Sequence, residues 1–77
     1  MPHLIVKMVT GRSREQKEAL AVELTRAVNS VLGCGEDAVS VAIEDFVATS
    51  WVERVYVPDI QDRAELIYKK PGYDPFA

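Results

Sequence analysis

Residues 13–33, SREQKEALAVELTRAVNSVLG, separate two short apolar runs, LIVKMV (4–9) and AVSVAIEDF (38–46). That order constrains the fold more than anything else in the chain. The middle segment carries helix signals at both ends. Ser13 and Gln16 have the spacing of a capping box, in which each side chain satisfies a backbone N–H left free at the helix start. Leu20, Leu24, Val28 and Val31, with Ala27 and Leu32 beside them, form an apolar stripe. Gly33 and Gly35 supply the stop, glycine being the residue that enters the left-handed C-cap conformation at least cost. The first flanking run is rich in β-branched residues and too short for a helix, so it reads as a mostly buried strand. In the second, Val39, Val41 and Ile43 alternate with Ser40, Ala42 and Glu44, a strand with two distinct faces.

Strand, helix and strand in this order predict a β-α-β unit with parallel strands and a right-handed crossover. Two strands and one helix leave sheet edges and a sheet face uncovered. The remainder reads as a turn near Ser50, an interruption at Pro58, and a C-terminal helix over 59–70 with Ile60, Ala64 and Ile67 on one side. Pro71-Gly72 ends it, and YDPFA follows as coil. The fold class expected is therefore α/β (α+β): one β-α-β unit plus a C-terminal helix, a single domain over 1–77.

At 77 residues, the chain buries only about 60% of its unfolded surface. Chains of this size usually need a disulfide, a metal or a partner subunit. Cys34 is alone, so no internal disulfide forms, and the single histidine, His3, belongs to no zinc-type cluster. Apolar residues make up 48% of the chain, enough for a core and an interface. Oligomerisation is the expected staple, a dimer first and a hexamer second. The net charge is −3 with scattered basic residues, which argues against nucleic acid as a partner. No run approaches the roughly 18 apolar residues of a membrane span, and no secretory leader is visible. A cytoplasmic protein is expected, with no cofactor.

Several residues carry possible chemistry. GCGEDA (33–38) fits a dinucleotide fingerprint by spelling, but its glycines close a helix instead of opening one, so it reads as a C-cap. Cys34 in the same turn lacks the cationic setting of a reactive thiol. His3 could serve as a general base, its intrinsic pKa lying near 6.5, but it stands alone at a strand start, where a hydrogen-bonded structural role is the commoner outcome. Arg12 lies in the loop between the first strand and the helix. It reads either as a solvated surface arginine or, since such loops are the usual ligand side of α/β units, as a carboxylate anchor. Pro2 follows the initiator. Its small side chain permits removal of Met1, which would leave a secondary amine able to accept a proton. On its own it is equally an exposed terminus.

Pro2, the short apolar strand and GRSREQKEAL at the strand–helix junction together resemble the 4-oxalocrotonate tautomerase family. The resemblance spans nearly the whole chain. It implies that Pro2 is the general base and Arg12 binds the substrate carboxylate, while Trp51 walls the pocket. One position departs: Ser40 stands where the typical enzyme has a second arginine, which counts against dicarboxylate substrates. The KKPGY ending (69–73) resembles the dimeric bacterial enol–keto tautomerases, phenylpyruvate among their test substrates.

The implied reaction is a proton shift between enol and keto forms of a 2-oxo acid. An α-amino group has a reference pKa near 8, so about a tenth is neutral at pH 7 and tuning it gains about tenfold, more where proline's ring amine starts from a higher value. Most of the rate must come from orientation and from stabilising enolate charge. Two alternatives stand beside this reading. One is a proline-dependent haloacrylate dehalogenase or hydratase, with Glu44, Asp45 or Glu53 activating water. The other is a non-catalytic oligomeric interaction module.

Overall fold

The computed structural model describes residues 1–77. Strand β1 (His3–Val9) leads into helix α1 (Arg14–Leu32), a turn of 3-10 helix (Glu36–Ala38) and strand β2 (Ser40–Phe46). The strands pair in parallel, from His3 opposite Ser40 to Val9 opposite Phe46. The expected β-α-β unit is therefore present, with β2 beginning two residues later than the pattern implied because Glu36–Ala38 is coiled.

The helix starts and stops where its punctuation says. The Ser13 hydroxyl accepts from the Gln16 backbone N–H at 3.1 Å, and the Ser13 N–H donates to the Gln16 side-chain oxygen at 2.9 Å. Gly33 adopts φ 73°, and its N–H donates to the Asn29 carbonyl. Leu20, Leu24 and Val28 are half-buried as expected, but Ala27, Val31 and Leu32 are exposed. For Val31 and Leu32 the reason is length. Nineteen helical residues run about 28 Å, whereas a seven-residue strand covers about 20 Å. The last turn overhangs the sheet, and Ala21 and Thr25 complete the covered face instead.

Side chains alternate across the sheet. Leu4, Val6 and Met8 share one face with Val41, Ile43 and Asp45, and α1 covers it; Lys17 of α1 pairs with Asp45. On the opposite face lie His3, Ile5 and Lys7, with Ser40, Ala42 and Phe46 beside them. A π-helix (Val52–Gln61) covers only part of this face. Its Asp59 accepts from Lys7 Nζ at 2.5 Å, and its Val55, 4% exposed, is the one buried residue of the chain.

The C-terminal helix is thus present but displaced from 59–70. It begins at Val52 and runs through Pro58. Its turns are wide, as the Asp62 N–H to Val57 carbonyl bond (2.9 Å) shows. An α-turn would drive the proline ring into the carbonyl four residues back. Wider winding removes that clash, so Pro58 interrupts nothing. After Gln61 the chain turns, makes one short coil (Ala64–Leu66) and becomes extended at Ile67. Ile60, Ala64 and Ile67 still face one hollow, now with Tyr56, Pro71 and Tyr73. Their spacing reflects a shared contact and not a continuous helix. Ser50 closes a short coil (Ala48–Ser50), its hydroxyl donating to the Val47 carbonyl.

Candidate active site

Parallel strands put their beginnings at one end of the sheet and their ends at the other. Pro2 lies at the first end, half-buried, its carbonyl accepting from the Ser40 N–H at 3.2 Å. Beside it, His3 Nδ1 and the Ser40 hydroxyl are 2.6 Å apart.

Arg12 and Trp51 lie at the other end. There the Thr10 N–H donates to the Phe46 carbonyl at 2.9 Å, extending the ladder past β1. Gly11 then turns at φ 129°, a value a side chain would strain. This turn and the Ser13 cap fix Arg12 between them. Arg12 makes no ion pair within the chain. It borders a shallow hollow with Met8, Gln16, Lys17 and Leu20. Trp51 is half-buried and meets the Phe46 ring edge-on at 6.4 Å between centroids.

The three residues named from sequence are therefore not gathered within one chain. Arg12 and Trp51 share an end. Pro2 is separated from them by the length of β1, about 20 Å. That distance exceeds the Debye length of about 8 Å at physiological salt, so any effect of Arg12 on Pro2 of the same subunit is largely screened.

Two further residues belong to the Trp51 end. Arg54 stacks over Phe46, its guanidinium 5.7 Å from the ring centroid. Three positions after Trp51 in a helical segment, it had a spacing signal that an interruption at Pro58 concealed. Tyr73 accepts a hydrogen bond from Trp51 Nε1 at 2.9 Å. Nothing local in the sequence announces a contact between residues so far apart. Of the carboxylates considered for activating water, Asp45 is held by Lys17 on the α1 face, while Glu44 and Glu53 are exposed. Cys34 is half-buried and unbonded.

Comparison with known proteins agrees with this architecture. Residues 2–57 match the family model described as tautomerase enzyme. A probable tautomerase of Xylella fastidiosa is 46% identical over 77 residues, covering 100% of this chain and 94% of the relative. Tautomerase PptA of Pectobacterium carotovorum is 34% identical over 74 residues, covering 95% of this chain and 97% of the relative. Among solved structures, unfused 4-OT in its apo form superposes with a TM-score of 0.62 at 37% identity, covering 64% of this chain and 80% of that one. The chain belongs to the tautomerase family, of the 4-oxalocrotonate tautomerase type, and is an enzyme acting on a small-molecule substrate. No helix is long and apolar enough to cross a membrane.

Proposed function

We propose that this enzyme interconverts enol and keto forms of a 2-oxo monocarboxylic acid, in the cytoplasm and without a cofactor. Pro2, freed by removal of Met1, is the base. Its neutral nitrogen takes the enol hydroxyl proton and returns it to the adjacent carbon. Arg12 holds the carboxylate, and Trp51 supplies an apolar wall. The observation that carries the reading is Arg12, a guanidinium without an ion pair, fixed over a hollow flanked by Met8 and Leu20. A planar, bidentate donor of this kind suits one carboxylate. Ser40, uncharged where a second arginine is expected, makes a monocarboxylate the better fit.

The separation of Pro2 from Arg12 requires that one site draw on two chains. A twofold axis across the sheet would set the Pro2 end of one subunit against the Arg12 and Trp51 end of its partner. The surface supports such an assembly. The chain exposes 5960 Å², whereas a compact monomer of 8.6 kDa exposes about 4,700 Å². The excess exceeds the roughly 800 Å² that each partner buries in an ordinary stable interface. The Cα radius of gyration of 14.1 Å likewise exceeds the about 11.5 Å of a compact chain this long. Exposed Ile5, 55% accessible, lies on the sheet face that the π-helix covers only in part. We favour a dimer of single-domain subunits, with a hexamer second.

The test begins with intact mass, which should lack Met1. Ketonisation of phenylenolpyruvate is then compared for wild type and Pro2→Ala. Loss of at least a hundredfold in kcat/KM is expected. Retained Met1 on an active enzyme, or full activity in Pro2→Ala, overturns the assignment of the base. Chloride release from a haloacrylate with no ketonisation overturns the reaction class.

A further inference from the structure

The end of the sheet that holds Pro2 carries a second pair of groups to which nothing above gives a task. We propose that His3, held by Ser40, is a second substrate-binding group, its Nε2 donating a hydrogen bond to the enolate oxygen of the 2-oxo acid. The inference rests on Pro2 being the base.

Ser40 ties the two neighbours together. Its backbone N–H donates to the Pro2 carbonyl at 3.2 Å, and its hydroxyl lies 2.6 Å from His3 Nδ1. One residue of β2 thereby fixes both the chain at the proline and the plane of the adjacent imidazole. With Nδ1 engaged, Nε2 makes no hydrogen bond within the chain, and the ring is exposed. A serine hydroxyl donates or accepts as required. When it donates into Nδ1, the ring proton sits on Nε2, and an enolate oxygen facing that nitrogen selects this tautomer.

The reaction needs such a donor. The enol O–H bond breaks as Pro2 nitrogen takes its proton, and a C–H bond forms as the prolinium returns it to carbon. Between those events the oxygen carries the charge, where an aimed N–H does most for the barrier. Other donors on this sheet face lie further along: Lys7 is engaged by Asp59, and Arg63 borders a hollow with Ile5 and Val55. A single imidazole N–H held by Ser40, where the typical enzyme has a guanidinium, also matches one oxygen, not a second carboxylate.

The experiment uses the full chain with phenylenolpyruvate as probe, comparing His3→Ala, His3→Gln, Ser40→Ala and Pro2→Ala. His3→Ala should lower kcat about a hundred- to a thousandfold, the range for losing one donor to a developing oxyanion, with KM changed less than threefold. His3→Gln carries an N–H near the position of Nε2 and should recover most of the loss. Ser40→Ala, which frees the ring, should fall in between. Far-ultraviolet circular dichroism and sedimentation should match wild type. His3→Ala within twofold of wild type overturns the proposal, as does His3→Gln no better than His3→Ala. If Pro2→Ala is inactive while His3→Ala is unimpaired, only this inference falls. If Pro2→Ala is fully active, the assignment of the base falls and this inference falls with it.

Discussion

Trp51 Nε1 donates to the hydroxyl of Tyr73 at 2.9 Å, fastening the last residues of the chain to the end of the sheet where Arg12 lies. The tie is reinforced by ring contacts: Tyr56 meets Tyr73 and Phe76, each at 5.8 Å between centroids. The C-terminal stretch, although it has no regular structure beyond Leu66, is thus part of the wall around Trp51. Tyr73→Phe removes the acceptor and leaves the ring. Since Trp51 is only half-buried, its indole N–H then finds water, and stability should fall by no more than about 1 kcal/mol. The expected effect is on binding: KM for an aromatic 2-oxo acid should rise a few-fold with kcat little changed. An unchanged KM would show that the tail does not orient the indole.

Arg12 should control affinity for the carboxylate. Arg12→Ala should raise KM ten- to a hundredfold, as expected for losing a charge-assisted bidentate contact. Arg12→Lys should recover only part, because an ammonium offers a point charge without the fork. A substrate analogue with an amide in place of the carboxylate should bind wild type and Arg12→Ala alike. A preference retained by Arg12→Ala would assign the carboxylate to another cation, and Arg54 over Phe46 is the one to test next.

These two residues also mark where sequence reading succeeds and where it stops. Arg12 was visible because its surroundings are local: a glycine turn before it, a capping box after it. The strands and α1 were legible for the same reason, their periodicity and caps lying within a few residues of one another. Tyr73 and Arg54 were hidden because their roles depend on the path of the chain after Pro58. A proline suggested an end, yet wide helical turns carried the backbone through it. The separation of Pro2 and Arg12 was implicit in the strand between them. Its consequence emerges only when the parallel register assigns each residue to an end.

Val55 should matter most for stability. It is the one residue buried to 4% exposure, under the π-helix and against the β1 face that carries Ile5 and Lys7. Val55→Ala should cost about 2 kcal/mol and lower Tm by about 10 °C at fixed protein concentration. Lys7→Met, which breaks an ion pair about a third exposed on each side, should cost less than about 1 kcal/mol. Thermal denaturation of both variants at one subunit concentration checks the ranking. The reverse order would mean that the Lys7–Asp59 pair, not apolar burial, fastens the π-helix to the sheet.

Mixing inactive variants tests the shared site directly. Pro2→Ala lacks the base, and Arg12→Ala lacks the anchor, so at substrate well below the KM of Arg12→Ala each homodimer should be nearly inactive. In a mixed dimer, one of the two sites combines the intact Pro2 of one chain with the intact Arg12 of the other. Random reassortment of equal amounts makes half the dimers mixed, each with one good site, so activity should recover to roughly a quarter of wild type. Recovery should require subunit exchange, appearing after dilution and reconcentration or partial denaturation and refolding. If exchange is demonstrated by mass spectrometry and activity stays at the level of the separate variants, base and anchor do not meet across this interface. The 20 Å between them along β1 would then have to be closed by another arrangement of chains, such as a hexamer.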